Sequence, residues 1–137
     1  MSERNKAIIR RWTEELWNRG DFASAREFVA DDLQFRANQM SPAEGLRSLQ
    51  DTVAGVRTGF PDGKYRINEL VAEGDTVVQR WTFRGTHQGE WAGIAATGRQ
   101  VEFTGTATYH FRNGRIVEHV ADWDALRMMQ QLGVVSS

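Results

Sequence analysis

Four ionisable side chains near the end of the chain have the types and the spacing that acid–base chemistry needs. His110 and His119 lie in the stretch Thr104–Asp124, and Asp122 and Asp124 close it. β-Strands usually exclude acidic residues, so this concentration indicates either a functional pocket or a solvated face. A carboxylate held partly out of water has a raised pKa and can act as a general base. A histidine beside it can donate a hydrogen bond or pass on a proton near neutral pH.

The turn at Arg112-Asn113-Gly114 decides which of these side chains share a face of the predicted hairpin. A two-residue type I′ turn at Asn113-Gly114 would place His110 beside His119 and direct both aspartates to the other side. A three-residue loop with a bulge at Gly114 would instead group His110 with the polar side chains of both strands. That group comprises Thr106, Thr108, Asp122 and Asp124. We favour the bulged loop because it also leaves one coherent apolar face, made of Phe103, Tyr109, Phe111, Val117 and Trp123.

Each candidate also has a purely structural explanation. Asp124 directly precedes Ala125-Leu126, where an aspartate makes a good helix N-cap. Asp122 suits a solvated surface, and a single histidine on a strand is more commonly structural than catalytic, which is the role we assign to His119. Asp124 with His110 is therefore the catalytic hypothesis, and Asp122 is the control.

Aromatic residues give a second set of candidates, as the wall of a pocket for a flat ligand. They are Trp12, Trp17, Phe22, Phe28 and Phe35. Aromatic side chains at helical spacing more commonly belong to a core. The 3 histidines lack the spacing of metal ligands, so we expect no metal site. The glycine-rich stretch 85–98 is not followed by a predicted helix, which argues against a phosphate-binding loop.

Length and composition limit the class of protein. The 137 residues suit one domain, residues 1–137, with a single core. A net charge of −1 gives no basic field to attract nucleic acid or an anionic membrane. The chain has no cysteine and no apolar run of transmembrane length, and its N-terminus carries no signal-peptide pattern. We expect a cytoplasmic protein that binds neither nucleic acid nor membrane.

The first half of the chain has helical periodicity. A first helix is predicted from the apolar positions Ile8, Ile9, Trp12 and Leu16, with a stop at Gly20. Asp21 is the expected N-cap of a short second helix, and residues 33–36 suit a brief extended segment. Ser41-Pro42-Ala43-Glu44 has the spacing of a capping box and predicts a third helix that ends by Gly59.

The second half changes to the two-residue period of strands. Strands are predicted over 65–73, 76–84, 99–111 and 115–124, and a last helix over 125–132. Helices followed by a run of long strands indicate an α+β fold, in which the helices pack on one face of a curved, antiparallel sheet. A pocket would open between the two layers.

Several segments resemble the SnoaL-like polyketide cyclase (ester cyclase) family, which has the NTF2-like fold. They are Trp12–Asp21, Gly85–Gly89, Thr97–Arg99, Arg112–His119 running on to Asp124, and Gln130–Gly133. The resemblance covers nearly the whole chain. It implies a cone-shaped α+β barrel whose N-terminal helices pack on a strongly curved, mostly antiparallel sheet. It also implies an enzyme that needs no cofactor and acts on a small hydrophobic or aromatic, polyketide-like ligand.

The resemblance further suggests roles for individual residues. In the family's cyclases an aspartate on the last strand is the general base, and a histidine on the preceding strand assists it. These roles fall on Asp124 and His110, which are fourteen positions apart. The implied reaction is an intramolecular aldol-type ring closure. The expected substrate-binding residues are Trp12, Phe35, Thr108 and Asp122.

Two other functional classes stay open. The domain could be a non-catalytic small-molecule-binding protein, or an isomerase, hydrolase or dehydratase that uses the same pocket. Self-association as a homodimer or homotetramer is also expected, because an apolar sheet face outside the pocket would need covering.

Overall fold

The helices and strands follow the order that the sequence predicts. The computed structural model describes residues 2–136. Helix α1 is Ser2–Trp12, continued by a π-helical segment, Thr13–Asn18, and helix α2 is Phe22–Ala25, continued by a 3₁₀ turn, Arg26–Phe28. The later helices are α3, Leu46–Gly59, and α4, Ala125–Leu132. The strands are β1, Val29–Arg36; β2, Lys64–Glu73; β3, Thr76–Thr86; β4, Gln100–Arg112; and β5, Arg115–Trp123.

All five strands form one sheet in the order β1-β5-β4-β3-β2. Strands β2 to β5 form an antiparallel meander, while β1 pairs with β5 in parallel. The helices cover one face, and the buried aromatic and aliphatic side chains lie between the helices and that face. The α+β class and the mostly antiparallel sheet are therefore confirmed. Among residues 2–136, no helix has the length and apolar character to cross a bilayer.

The N-terminal helix is joined to the sheet by a side-chain amide. Asn18, at the end of the π-helical segment, accepts a hydrogen bond from Tyr65 N at 2.7 Å and donates one to Tyr65 O at 3.0 Å. A buried amide that satisfies both backbone groups of one strand residue acts like an added strand partner. This pairing fixes the side chains of the π-helical segment over the sheet.

The start of α2 agrees with the sequence-based prediction, and the start of α3 does not. Asp21 caps α2, since its carboxylate accepts from Ser24 N at 3.1 Å, as predicted. The predicted capping box at Ser41 is wrong, because α3 begins only at Leu46. Glu44 is instead extended and pairs with Phe35 through two backbone hydrogen bonds of 2.7 and 2.8 Å. That bridge keeps the segment before Gly45 out of the helix.

The β4–β5 hairpin corrects the predicted turn. Asn113 and Gly114 have φ of 53° and 77°, and Arg112 pairs with Arg115, so the turn is the two-residue type I′ form. The predicted three-residue loop is wrong. A bulge follows immediately, because Phe111 pairs with Ile116 and His110 with Glu118. The extra residue, Val117, restores the parity that the three-residue loop would have produced.

The bulge has a direct consequence for the side chains. Beyond it, His110, Thr108 and Thr106 share a face with Glu118, Val120 and Asp122. The opposite face carries Phe103, Ala107, Tyr109, His119 and Ala121, and it is the face that the helices cover. The predicted grouping of His110 with Thr106, Thr108 and Asp122 is correct, but their face points away from the helices, and Asp124 lies beyond the end of β5.

Candidate functional site

A cavity opens between the covered face of the sheet and the helices. Its volume is about 360 Å³, at the small end of the range usual for ligand sites. Side chains from the π-helical segment, α3, α4 and all five strands line it. Its aromatic lining residues are Trp17, Phe35, Phe60, Tyr65, Trp81, Phe83, Trp91, Phe103, Tyr109 and Trp123. The cavity is therefore an apolar, largely aromatic chamber.

A connected polar group interrupts this apolar wall. Tyr109 Oη donates to Gln79 Oε1 at 2.8 Å, and Gln79 Nε2 donates to Thr13 Oγ1 at 2.7 Å. Thr13 Oγ1 in turn donates to Ile9 O at 2.9 Å. Burial raises the pKa of Tyr109, so its phenol stays neutral. Each of these three hydrogen bonds has one defined donor and one defined acceptor, which orients the three side chains at the cavity wall.

His119 lies next to this polar group, inside an aromatic enclosure. Its ring centroid is 4.5 Å from that of Tyr109 and 5.3 Å from that of Phe35, and the rings of Trp17 and Trp12 are 5.9 and 6.3 Å away. Only 2% of the residue is exposed. Desolvation lowers the pKa of His119 from 6.5 to about 3, so the imidazole is neutral. Its Nδ1 is buried without a hydrogen-bond partner among the described residues.

Two alanines form the floor between Gln79 and His119. Ala107 pairs with Gln79 on β3 and with Ala121 on β5, and these three side chains line the cavity together with that of His119. The small side chains of the two alanines leave room for a ligand above the sheet.

The glycine-rich loop covers one side of the cavity. Trp91 and Ala92 of this loop line it, and the Trp91 ring is 6.3 Å from that of Phe60 and 5.9 Å from that of Trp123. The fully buried His87 secures the loop base, since its Nδ1 accepts from Thr97 N at 3.2 Å. Its backbone also bonds to Gly98 and Arg99. The loop is therefore a wall of the cavity.

The structure places the two predicted catalytic residues outside the cavity lining. His110 is on the outer face, where Nδ1 lies 3.0 Å from Thr76 Oγ1 and Nε2 lies 3.3 Å from Glu118 Oε1. Asp124 is exposed and caps α4, because its carboxylate accepts from Arg127 N at 3.1 Å. The structural explanation of Asp124 as an N-cap is confirmed. A catalytic role for either residue stays a prediction.

Of the four predicted substrate-binding residues, one lines the cavity and three do not. Phe35 lines the cavity, as expected. Trp12 is fully buried with its ring against that of His119, so it supports the site from behind rather than lining it. Thr108 lies on the outer face, and Asp122 accepts hydrogen bonds from Gln39 N and Nε2 at 3.2 and 3.1 Å. Neither Thr108 nor Asp122 lines the cavity, because strand alternation turns both outward, and their role in substrate binding stays a prediction.

Three lining residues, Gln79, Tyr109 and His119, were not among the predicted site residues. All three occupy strand positions whose neighbours on the same face are apolar. A polar residue within such an apolar alternation is the signal that identifies them. Among residues 2–136, no group of three or more histidine, aspartate and glutamate side chains has the arrangement of a metal site.

The chain belongs to the SnoaL-like polyketide cyclase family, whose sequence model matches residues 7–132. No curated protein matches the chain. IdmH from Streptomyces antibioticus, a candidate polyketide cyclase, is 30% identical, with a TM-score of 0.80 over 94% of this chain and 98% of its own.

Two further solved structures share the fold. A candidate polyketide cyclase from Acidithiobacillus ferrooxidans is 26% identical, with a TM-score of 0.83 over 97% of this chain and 96% of its own. AclR from Streptomyces galilaeus, a candidate hydroxylase, is 24% identical, with a TM-score of 0.89 over 100% of this chain and 85% of its own. The NTF2-like fold of this chain is thus shared by proteins to which different activities are ascribed.

Proposed function

We propose that the protein is a cofactor-independent cyclase that closes a ring within a small, uncharged, polyketide-like molecule bound in the cavity. The position of His119 is the observation that carries this proposal. It is a side chain that can accept and return a proton, and it lines an aromatic cavity of ligand size. Membership in a polyketide cyclase family supports the reaction class.

The reaction that suits this site is an intramolecular aldol closure. Because Nδ1 of His119 is buried, Nε2 is the ring nitrogen that we expect to face the ligand. Nε2 accepts a proton from a carbon flanked by two carbonyls, and the enolate carbon attacks a carbonyl carbon of the same molecule. The new alkoxide then takes the proton back, so the imidazole ends as it began. A C–H group between two carbonyls is already acidic, so a well-placed weak base is enough.

The dry environment of His119 favours transfer within a pair of opposite charges. An isolated imidazolium is strongly disfavoured there, as the lowered pKa of His119 shows. An enolate formed beside it offsets that penalty, because opposite charges attract strongly where water is excluded. Protonation of His119 is thereby linked to deprotonation of the substrate, and the proton does not exchange with bulk solvent.

Asp124 as general base and His110 as its partner stay a competing assignment, which rests on the family resemblance. Their exposure and their hydrogen bonds favour structural roles. The two assignments make opposite predictions for the same set of variants. A direct comparison of inner and outer residues therefore decides between them.

The experiment is a ring-closure assay with nonane-2,4,6,8-tetraone, a linear uncharged substrate that forms a dihydroxymethylacetophenone with loss of water. We expect the wild type to accelerate closure above the uncatalysed rate, and His119→Gln to lose at least about a hundredfold of that rate. Asp124→Asn and His110→Asn are matched controls and should keep it. Loss of turnover in Asp124→Asn with retention in His119→Gln would exclude His119 as the base.

A ligand-binding function without catalysis is the second candidate. The observation that favours it is the lining itself, which contains no aspartate or glutamate within the described part of the chain. A wild type that binds aromatic ketones tightly but leaves the tetraketone at its uncatalysed rate would establish binding as the function.

A further inference from the structure

We infer that Gln79 selects the substrate: its side-chain amide is held in one orientation by Thr13 and Tyr109, and it donates its remaining N–H to a carbonyl oxygen of an uncharged ligand. The inference rests on the proposed function, which takes the ligand to carry carbonyl groups. It adds two points to that function. The first is the residue that discriminates between ligands, and the second is the chemical class of ligand that this residue accepts.

The orientation of the Gln79 amide follows from its neighbours. Thr13 Oγ1 gives its one proton to Ile9 O at 2.9 Å, so it can only accept from the glutamine, at 2.7 Å. The amide nitrogen must therefore face Thr13. The amide oxygen then faces Tyr109 Oη, which donates to it at 2.8 Å. Reversal of the amide would break both contacts at once.

One N–H of Gln79 remains for a ligand. A primary amide has two N–H donors, and Thr13 accepts one of them. Gln79 is 2% exposed and lines the cavity, so water reaches it only through the cavity. A ligand that covers this N–H without accepting a hydrogen bond leaves a buried donor unpaired, which is costly. A ligand with a carbonyl there satisfies it, and this difference is the source of selectivity.

The charge of the ligand is limited by the same wall. Among the described residues that line the cavity, none is a lysine, arginine, aspartate or glutamate. A carboxylate or ammonium group placed there would lose its hydration without gaining an opposite charge. A ketone or ester oxygen needs only one donor, and Gln79 supplies it. The cavity therefore accepts uncharged carbonyl compounds in preference to their acids.

The position of Gln79 also suits a ligand that reaches His119. Gln79 on β3 and His119 on β5 are separated by β4, whose Ala107 leaves the floor low. Two strand spacings amount to roughly 10 Å. A flat molecule anchored by a carbonyl at Gln79 can therefore lie over Ala107 and Ala121 and present a second part of itself to His119.

The test compares two bicyclic probes that differ in one carbonyl, α-tetralone and tetralin. Binding is followed by quenching of the intrinsic fluorescence of the lining tryptophans Trp17, Trp81, Trp91 and Trp123. We expect the wild type to prefer α-tetralone. Gln79→Met, which keeps the volume, should lose about tenfold in α-tetralone affinity and none in tetralin affinity. Gln34→Met changes an exposed strand glutamine and is the matched control, with unchanged affinity for both probes.

Thr13→Val is the second variant, because Gln79→Met leaves Tyr109 Oη without its acceptor and so weakens the fold. Without the hydroxyl of Thr13 the amide is free to reverse, and the preference for α-tetralone should fall while tetralin still binds. Equal affinities of the wild type for both probes, or an unchanged preference in both variants, would overturn the inference. Failure of the wild type to bind either probe would also overturn it.

Failure of this inference and failure of the proposed function are distinguishable. A wild type that lacks the ketone preference but closes the tetraketone in a His119-dependent way disproves only the role of Gln79. A protein that keeps the Gln79-dependent preference but does not accelerate ring closure disproves only catalysis. The two readouts are binding and turnover, and neither requires the other.

Discussion

At the scale of single residues, the main feature of the cavity is a buried histidine that stays neutral. His119 loses its hydration when the chain folds, and its pKa falls from 6.5 to about 3. The unfolded chain therefore binds a proton that the folded chain excludes at every pH between these values. The stability that a neutral His119 contributes is complete above about pH 6.5, and it is lost progressively as the pH falls towards 3.

The difference between the pKa of His119 in the unfolded and folded chain predicts a pH dependence of stability that arises from this residue alone. Between pH 6 and pH 5, the wild type should lose about 1.2 kcal/mol of unfolding free energy relative to His119→Phe. Urea unfolding at several pH values measures it. Gln34→Met changes an exposed strand side chain that does not titrate and is the control, for which the slope should match that of the wild type. Equal slopes for the wild type and His119→Phe would contradict a buried, neutral His119.

Asp124 has a role at the same scale that stability measurements can separate from catalysis. Its carboxylate caps α4 through Arg127 N. Asp124→Ala should lower the free energy of unfolding by about 1 kcal/mol, while Asp124→Asn, which keeps an oxygen acceptor, should cost much less. Thermal unfolding of the two variants tests this, and equal stabilities would show that the cap contributes little.

At the scale of helices and strands, the sequence predicts where these elements lie along the chain better than it predicts which way their side chains point. The periods of 3.6 and 2 residues locate all four helices and the meander, because they reflect local geometry. The direction of the β4–β5 side chains depends on the type I′ turn and the bulge at Val117, which act in opposite senses. Local residue preferences give the turn, but the bulge also depends on pairing with neighbouring strands. The polar group around His110 was therefore predicted correctly, and its side of the sheet was not.

The start of α3 shows the same limit. Ser41 to Glu44 carries a good local capping pattern, but the bridge between Glu44 and Phe35 holds the chain extended. A tertiary contact between distant residues overrides the local preference. The cavity residues Gln79 and His119 escaped prediction for a related reason. Whether they line the cavity depends on which face of the sheet the helices cover.

The contact between α3 and the glycine-rich loop gives a prediction at this scale. A Cβ on Gly59 would lie 2.8 Å from Trp91 Cβ, so Gly59→Ala must displace Trp91 from the cavity wall. We expect weaker α-tetralone binding by this variant. Gly55→Ala, in the same helix, meets nothing within 4 Å and should raise stability by up to about 1 kcal/mol. Unchanged binding in Gly59→Ala would show that Trp91 is not a fixed wall.

At the scale of the whole molecule, the outer face of the sheet has its own pattern. Paired positions place Val71, Val78, Thr108 and Val120 in one row across four strands, and Val71 is 56% exposed. The ion pairs Arg80–Glu69 and Arg84–Glu102 lie on one side of this row, and the contact between His110 and Glu118 lies on the other. This apolar row is where we expect the predicted self-association to occur.

The prediction is an assembly larger than one 15.6 kDa chain. Sedimentation velocity should show a dimer or tetramer for the wild type and a monomer for Val78→Lys, because a charge in the middle of the row would be buried at the interface. Val134→Lys, on an exposed residue outside the sheet, is the control and should leave the assembly intact. A monomeric wild type would contradict self-association.

The most direct test of the inner site follows the 3 histidines during ligand titration. Long-range ¹H–¹⁵N spectra resolve the ring nitrogens of each imidazole, and assignment uses the His110→Phe and His119→Phe variants. Addition of α-tetralone should shift the ring nitrogens of His119, because the ligand enters the cavity that it lines, and should leave those of His110 in place. Shifts at His110 with an unchanged His119 would contradict the inner site and return the function to the outer face of the sheet.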